Sequence, residues 1–258
     1  MLERITPLLL TFNEADNLDR TLAKLSWAKE IVVIDSYSTD ETGNILQAYP
    51  QIKVFQRAFD SFAEQCNYGL TKIQTEWVLS LDADYILSDA LIDEIKQLSE
   101  DLEVNSYFVR FKYCVFGKPL RGTLYPPRRV LYRKDQALYQ SDGHAHRVVV
   151  AGKTKFLENW IDHDDRKSLS RWLWAQDRYM MIESKKLLNT PWNQLSQGDR
   201  IRRYKLLAPF AILFYCLIIN RGILDGWAGW YYAFQRMLAE LLLAIHLMEQ
   251  ETLNIRRQ

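Results

Sequence analysis

The first hundred residues switch between two hydrophobic periods four times, and few folds accept that rhythm. Four short runs are apolar on both faces: RITPLLLTF (4–12), EIVVIDS (30–36), IKVFQR (52–57) and EWVLSLDAD (76–84). Strands buried on both sides read this way. Between them, NEADNLDRTLAKLSWA repeats Leu18, Leu22 and Leu25 at helical spacing, with Asn13 as its expected cap. STDETGNILQAY (38–49) and FAEQCNYGLTKI (62–73) read as two further helices. This alternation predicts an α/β fold, a parallel sheet with helices on both sides. Ligands of such sheets sit at the carboxyl ends of the strands. The segment Thr11–Glu14, Asp35 and Asp82 stand at such ends.

After residue 100 the rhythm changes. NSYFVRFKYCVFGKPL alternates like a strand with one exposed face, and RRVLYRK and HRVVV read as further strands, so this part is expected to be mixed and mostly antiparallel. From KSLSRWLWAQDRYMMIESKKLL (167–188) onward the pattern is helical. The boundaries expected are a catalytic domain over 1–165 and a helical region over 166–258. LLAPFAILFYCLII (206–219) is apolar all round but too short to span a bilayer, which takes about 20 residues. YYAFQRMLAELLLAIHLM (231–248) is a second greasy helix, and Arg200, Arg202, Arg203, Lys205 and Arg221 lie near the helix starts. Such a pair either lies in a membrane interface or packs on the catalytic domain or another subunit.

The bulk numbers narrow the partners. A net charge of +1 over 258 residues gives no global field for nucleic acid, so none is expected as a partner. Cys66, Cys114 and Cys216 are odd in number and far apart, which predicts neither a zinc site nor a disulfide framework and points to a reducing compartment. The apolar run near Met1 is too short for a signal peptide. The expected location is cytoplasmic, peripheral on the cytosolic face of the inner membrane.

Asp82 and Asp84 are like charges one residue apart where a buried strand leaves the core. A hard cation between them makes the arrangement tolerable, because Mg²⁺ or Mn²⁺ takes oxygen ligands and shares them with substrate phosphates. The alternative is a pair of solvated turn residues. The blocks LLLTFNEADNLDRTL, EIVVIDSYSTDET, FAEQCNYGL and WVLSLDADY, in this order and spacing, resemble the inverting family 2 glycosyltransferases of the GT-A fold. That resemblance implies a Rossmann-like nucleotide-binding half, a mixed central sheet and a C-terminal helical extension. It implies a nucleotide-sugar donor, with a UDP-sugar expected, and Mg²⁺ or Mn²⁺ as cofactor. Thr11, Asn13 and Glu14 match the segment that lines the base. Asp35 matches the acid that hydrogen-bonds the base, its other reading being a helix cap. Asp82 matches the carboxylate near ribose and metal, and Asp84 the one that binds the metal on the diphosphate. Arg57 and Gln65 resemble positions flanking the nucleotide, and Asp40 reads as a loop or capping residue. Tyr85 stands where many relatives carry an acid.

Displacement at an anomeric carbon needs a base for the acceptor hydroxyl and neutralisation of the departing diphosphate. The family supplies the base from its later half, and in YQSDGHAHRVVVAGK (139–153) the candidate is Asp142. His144 is an acceptor-side residue or a second base, and His146 reads as a half-buried strand residue. His163, among three acids, is a further metal or diphosphate ligand, or caps the next helix. Arg128 and Arg129 contact the diphosphate or an anionic acceptor, or are simply solvated; Arg121 is similar. The layout LRGTLYPPRRVLYRK, DGHAHRV, HDDRKSLSRW and LDGWAG is similar to bacterial lipopolysaccharide-core glucosyltransferase-like proteins, which implies a cell-envelope glycan or lipid-linked saccharide as acceptor. HDDRKSLSRW lacks the Gln of the Q-x-x-R-W signature, so a processive polymer synthase is not expected. Two rival classes remain in view: a catalytically inactive membrane-associated scaffold of the same fold, and a haloacid-dehalogenase-like phosphatase, whose nucleophilic Asp would follow the first strand and not the fourth. A nucleotidyltransferase would need a Gly-rich phosphate loop before the first helix.

Overall fold

A computed structural model of the chain describes residues 1–99, 103–142 and 145–255, with backbone alone for 141, 142, 145, 146, 254 and 255. Two compact units emerge. One comprises Met1–Pro119 and Tyr125–Arg166, the other Leu120–Leu124 and Lys167–Gln258.

In the first unit the elements run β1 (Ile5–Thr11), α1 (Ala15–Ala23), β2 (Ile31–Asp35), α2 (Thr42–Gln47), β3 (Ile52–Gln56), α3 (Phe62–Lys72), β4 (Trp77–Asp82), β5 (Tyr85–Leu87) and α4 (Asp89–Gln97). They continue with β6 (Val104–Val115), β7 (Lys118–Pro119), β8 (Arg128–Arg133), β9 (Ala137–Asp142), β10 (Ala145–Val150) and β11 (Lys153–His163). The main sheet has the order β3-β2-β1-β4-β8-β6-β11-β5. Its first four strands are parallel. β8 runs antiparallel to β4 and to β6, β11 lies parallel to β6, and β5 is antiparallel to β11. This is a mixed α/β sheet, as the resemblance to the GT-A fold implies, with β9 and β10 as a separate hairpin.

Period-two alternation explains why β1 reads as continuously apolar. Leu9 faces a core with Leu18 and Leu22 of α1, Leu46 of α2 and Leu91 of α4. Leu8 faces the other core, with Ala63 and Cys66 of α3 and Tyr132 and Tyr139. At Gly69, α3 lies so close to the sheet that a Cβ would come within 2.5 Å of a Leu8 methyl.

Two expectations about local structure need correction. Asn13 does not cap α1: Glu14 occupies the cap position without a side-chain bond, and Asn13 has a left-handed φ of 55°. Its Oδ1 accepts from the Thr39 N–H at 2.8 Å, so its amide ties two loops together. Asp40 supplies the missing acceptor from across the sheet edge, taking the Ala15 N–H at 3.2 Å and the Thr42 N–H at 3.0 Å. The helix expected over 38–49 accordingly shortens to α2, because residues 36–41 bond to neighbouring loops.

The second unit contains α5 (Leu169–Asn189), α6 (Gln197–Arg203), α7 (Leu207–Phe214) and α8 (Trp227–Ile255). α7 widens into a π-turn over Tyr215–Ile219 before the chain reverses. Leu187, Leu195, Leu243 and Leu247 form its apolar centre. Arg202 forks onto Glu240 at 2.9 and 3.0 Å, and Asp225 accepts from the Arg121 N–H and Nε. Arg121 is thus a structural partner of Asp225. Gly222 and Gly229 touch so closely that a Cβ on Gly229 would lie 1.8 Å from the Gly222 carbonyl oxygen. Among the described residues no helix is long and apolar enough to cross a membrane.

Candidate active site

The parallel ladder sets the geometry. Thr11 pairs with Asp35, and Leu10 with Asp82, so the carboxyl ends of β2, β1 and β4 lie side by side. At the usual strand spacing, Asp35 and Asp82 are roughly 10 Å apart across β1, a distance suited to a nucleoside diphosphate.

Asp35 is buried. It accepts from Thr11 Oγ1 at 2.8 Å, Ser38 Oγ at 2.5 Å and the Ser38 N–H at 2.9 Å. Ser38 Oγ in turn accepts from the Asn13 N–H at 2.8 Å, and the Glu14 N–H donates to Thr42 Oγ1. Glu14 Oε2 accepts from Asn17 Nδ2 at 3.1 Å. One hydrogen-bonded surface therefore joins Thr11, Asn13, Glu14 and Asp35. Arg57 extends it: its N–H donates to the Asp35 carbonyl, and its guanidinium reaches Asp60 and Gln65 Oε1. Gln65, fully buried, donates to Ser36 Oγ and the Arg57 carbonyl. Both hold the loop after β3 against the loop after β2.

The acidic edge is built differently. Asp82 ends β4, and Asp84 lies two residues on, buried, with its Oδ2 3.1 Å from His163 Nε2. His163 arrives there because β11 pairs with β5 and β6, setting it between Tyr85 and Tyr113. The rings of Tyr125, Tyr113 and Tyr85 surround its imidazole at 4.6, 4.9 and 5.3 Å. The Tyr85 and Tyr125 hydroxyls bond to each other. Burial alone would lower the His163 pKa, but the Asp84 charge and hydrogen bond outweigh it and raise the value above 6.5. Burial likewise pushes the phenols of Tyr85 and Tyr125 upward, reinforced by the Asp82 charge. His163 is thus a half-buried partner of Asp84 rather than a helix cap; the next helix is capped by Ser168.

Neighbouring arginines of β8 part company because strand side chains alternate. Arg128 lies over the Tyr125 ring at 4.6 Å, in the field of Asp82 and Asp84. Arg129 points to the opposite face, donating to the Val148 carbonyl at 3.0 Å and stacking on Phe108. Of the two arginines read as contacting the diphosphate or an anionic acceptor, or as solvated, Arg128 thus stands near the acidic edge and Arg129 on the opposite face of β8. Asp142 ends β9, where only its backbone is described, and His144 lies outside the described residues. His146 is in β10, paired with Ser141.

A network not foreseen from the sequence braces the acidic edge. Buried Asp164 accepts from Arg20 at 2.6 Å, Arg166 Nε at 2.9 Å and the Gly117 N–H at 3.0 Å. Its own N–H donates to the Asp84 carbonyl. Asn17 bonds Asp165, Arg20 and the Arg166 N–H. The missed signal was β11 itself: NWIDHDD, like WVLSLDAD, runs apolar residues into acids.

The donor set suits a hard divalent cation. Asp82 and Asp84 offer carboxylate oxygens at one strand end, and half-buried His163 sets its Nε2 against Asp84 while its Nδ1 lacks a hydrogen-bond partner. Among the described residues no group of three or more His, Cys, Asp and Glu side chains forms a ready metal cage. Mg²⁺ and Mn²⁺ sites commonly leave such a remainder to substrate phosphates and water.

Residues 8–160 match the model of the family described as glycosyl transferase family 2. The chain belongs to that family and is a glycosyltransferase. It is 24% identical over 267 residues to the lipopolysaccharide core biosynthesis glycosyltransferase LpsC of Rhizobium meliloti, covering 98% of this chain and 94% of that one. It is 24% identical over 257 residues to an uncharacterized glycosyltransferase of Rickettsia felis, covering 92% and 88%. Among solved structures, S. aureus TarS 1-349 aligns over 96% of this chain and 91% of that one, with a TM-score of 0.47 and 14% identity.

Proposed function

We propose that this family 2 glycosyltransferase moves a sugar, with inversion, from a UDP-sugar to a hydroxyl of a cell-envelope glycan or lipid-linked saccharide at the cytosolic face of a membrane. The observation that carries the reading is the shared strand edge, with the Thr11–Asp35 pair on one side of β1 and the Asp82–Asp84–His163 group on the other. Asp35 already accepts three hydrogen bonds, and a carboxylate takes about four. The position left suits the imide N–H of uracil. Thr11, Asn13 and Glu14 line the base, while Arg57 and Gln65 fix the adjoining loop. Asp82 and Asp84 would hold Mg²⁺ or Mn²⁺, which when bound neutralises charge on the diphosphate. Arg128 brings further positive charge to the same edge. Asp142 takes the proton of the acceptor hydroxyl as its oxygen bonds to the anomeric carbon and the bond to the diphosphate breaks. LpsC, by its name, acts in lipopolysaccharide core biosynthesis, which supports the acceptor class.

The test is binding first and turnover second. UDP with Mn²⁺ is expected to raise Tm, and Asp84→Ala to remove the metal-dependent part of the rise. An unchanged melting curve for the wild type sinks the donor site. Asp142→Asn is expected to abolish transfer while keeping UDP binding; persistent transfer reassigns the base. Donor hydrolysis compared across UDP-, GDP- and dTDP-sugars identifies the nucleotide.

A further inference from the structure

The net charge of +1 conceals an asymmetry. Residues 1–166 carry twenty Lys and Arg against twenty-five Asp and Glu, whereas residues 167–258 carry thirteen against seven. The helical unit is therefore cationic. It also contains a stretch, 206–220, with no charged residue.

Within that stretch one helical face is buried and the other is not. Ala208, Pro209, Cys216 and Leu217 face inward. Leu206, Leu207, Phe210, Phe214, Ile218 and Ile219 recur at three- and four-residue spacing and are exposed, Leu206 at 69% and Phe210 at 64%. The turn that follows adds exposed Ile223, Leu224 and Trp227. Each such side chain leaves on the order of 100 Å² in water, about half the area an aromatic residue buries when fully packed. Together they exceed the few hundred Å² that monomeric proteins commonly expose.

We propose that this face of α7 and the turn after it seat the helical unit flat in the surface of an anionic lipid bilayer. The thirteen residues from Leu207 to Ile219 are too few to cross a hydrocarbon core, which takes about 20. A helix of this kind lies in the interface, its apolar side sunk roughly 5–10 Å. Exposed Tyr204 and Trp227 flank the face, as aromatic residues do at the headgroup level. Arg203 precedes it and exposed Arg221 follows it, placing positive charge where anionic headgroups lie. Charge also decides against a second copy as the occupant, because two cationic units would be brought face to face. The inference extends the membrane reading above but needs neither donor nor acceptor, so its failure would leave the transfer reaction standing.

The test is co-sedimentation of the full chain with vesicles of phosphatidylcholine alone or mixed with phosphatidylglycerol, at low and high salt. Uptake by the anionic vesicles, reduced by salt, is expected. Phe210→Ser with Phe214→Ser is expected to weaken it about tenfold or more, with the UDP-induced Tm shift unchanged. Where that double variant fails to fold, Leu206→Asp, at a position with little packing to lose, takes its place. Protein left in the supernatant with anionic vesicles at low salt overturns the proposal. So does uptake indifferent to the substitutions. A dimer in ultracentrifugation that the same substitutions turn into monomer, without vesicle uptake, assigns the face to a second copy and also overturns it.

Discussion

Replacing Asp164 with alanine removes the one carboxylate that gathers Arg20, Arg166 and the Gly117 N–H. Its side chain is only 3% exposed, against 24% for Arg20 and 41% for Arg166. Breaking a fully buried pair from one side costs about 3–5 kcal/mol, but here the arginines recover some water. We expect a loss of about 2–4 kcal/mol, which lowers Tm by roughly 5–15 °C for a chain of this size. Arg20→Ala should cost less, about 1–2 kcal/mol. Burial already depresses the Arg20 pKa despite Asp164, and Asp164 keeps its other two partners. Urea unfolding of both single variants and the double variant gives the coupling, expected at about 1–3 kcal/mol. Asp164→Ala keeps the N–H that bonds the Asp84 carbonyl but loses the side-chain bonds that anchor this backbone to Arg20, Gly117 and Arg166, so it should also weaken binding of UDP with Mn²⁺. Losses that add to within about 0.5 kcal/mol would refute the network, and unchanged nucleotide affinity would refute its hold on the acidic edge.

Tyr37 has a left-handed φ of 59° and an exposed ring. Tyr37→Gly is expected to relieve about 1 kcal/mol of strain and raise Tm by a few degrees, measured by calorimetry. Gly69→Ala drives a methyl into Leu8 and Ile34 and should cost about 1–3 kcal/mol in urea unfolding. Arg128→Ala should lower kcat with little change in Tm. Arg129→Ala should do the reverse, losing the Val148 bond and the Phe108 stack.

The strand and helix alternation of the first hundred residues was legible because the runs over 4–12, 30–36 and 76–84 are densely apolar and the first helix keeps a leucine stripe. β3, also read as apolar on both faces, is instead the edge of the sheet, with Lys53, Val54 and Gln56 exposed. The residues at the strand ends followed, since a parallel sheet presents those ends together. Asp35 and Asp82 could be picked out by that rule, and Asp84, two residues past β4, by its like charge beside Asp82. Asn13 could not be assigned, because its amide partner Thr39 lies on another loop.

Local pattern therefore determined where strands and helices alternate, which carboxylates stand at the ends of β2 and β4, and that residues 206–220 are uncharged; that β3 is an exposed edge it did not show. Only the tertiary structure decided that β11 delivers His163 to Asp84 across 79 residues. It alone separated Arg128 from Arg129, by fixing which face of β8 meets the acidic edge. It alone showed which half of α7 is left in water. Periodicity along a chain reports how each residue is turned within its own element, whereas pairing between distant strands depends on contacts that no local window contains.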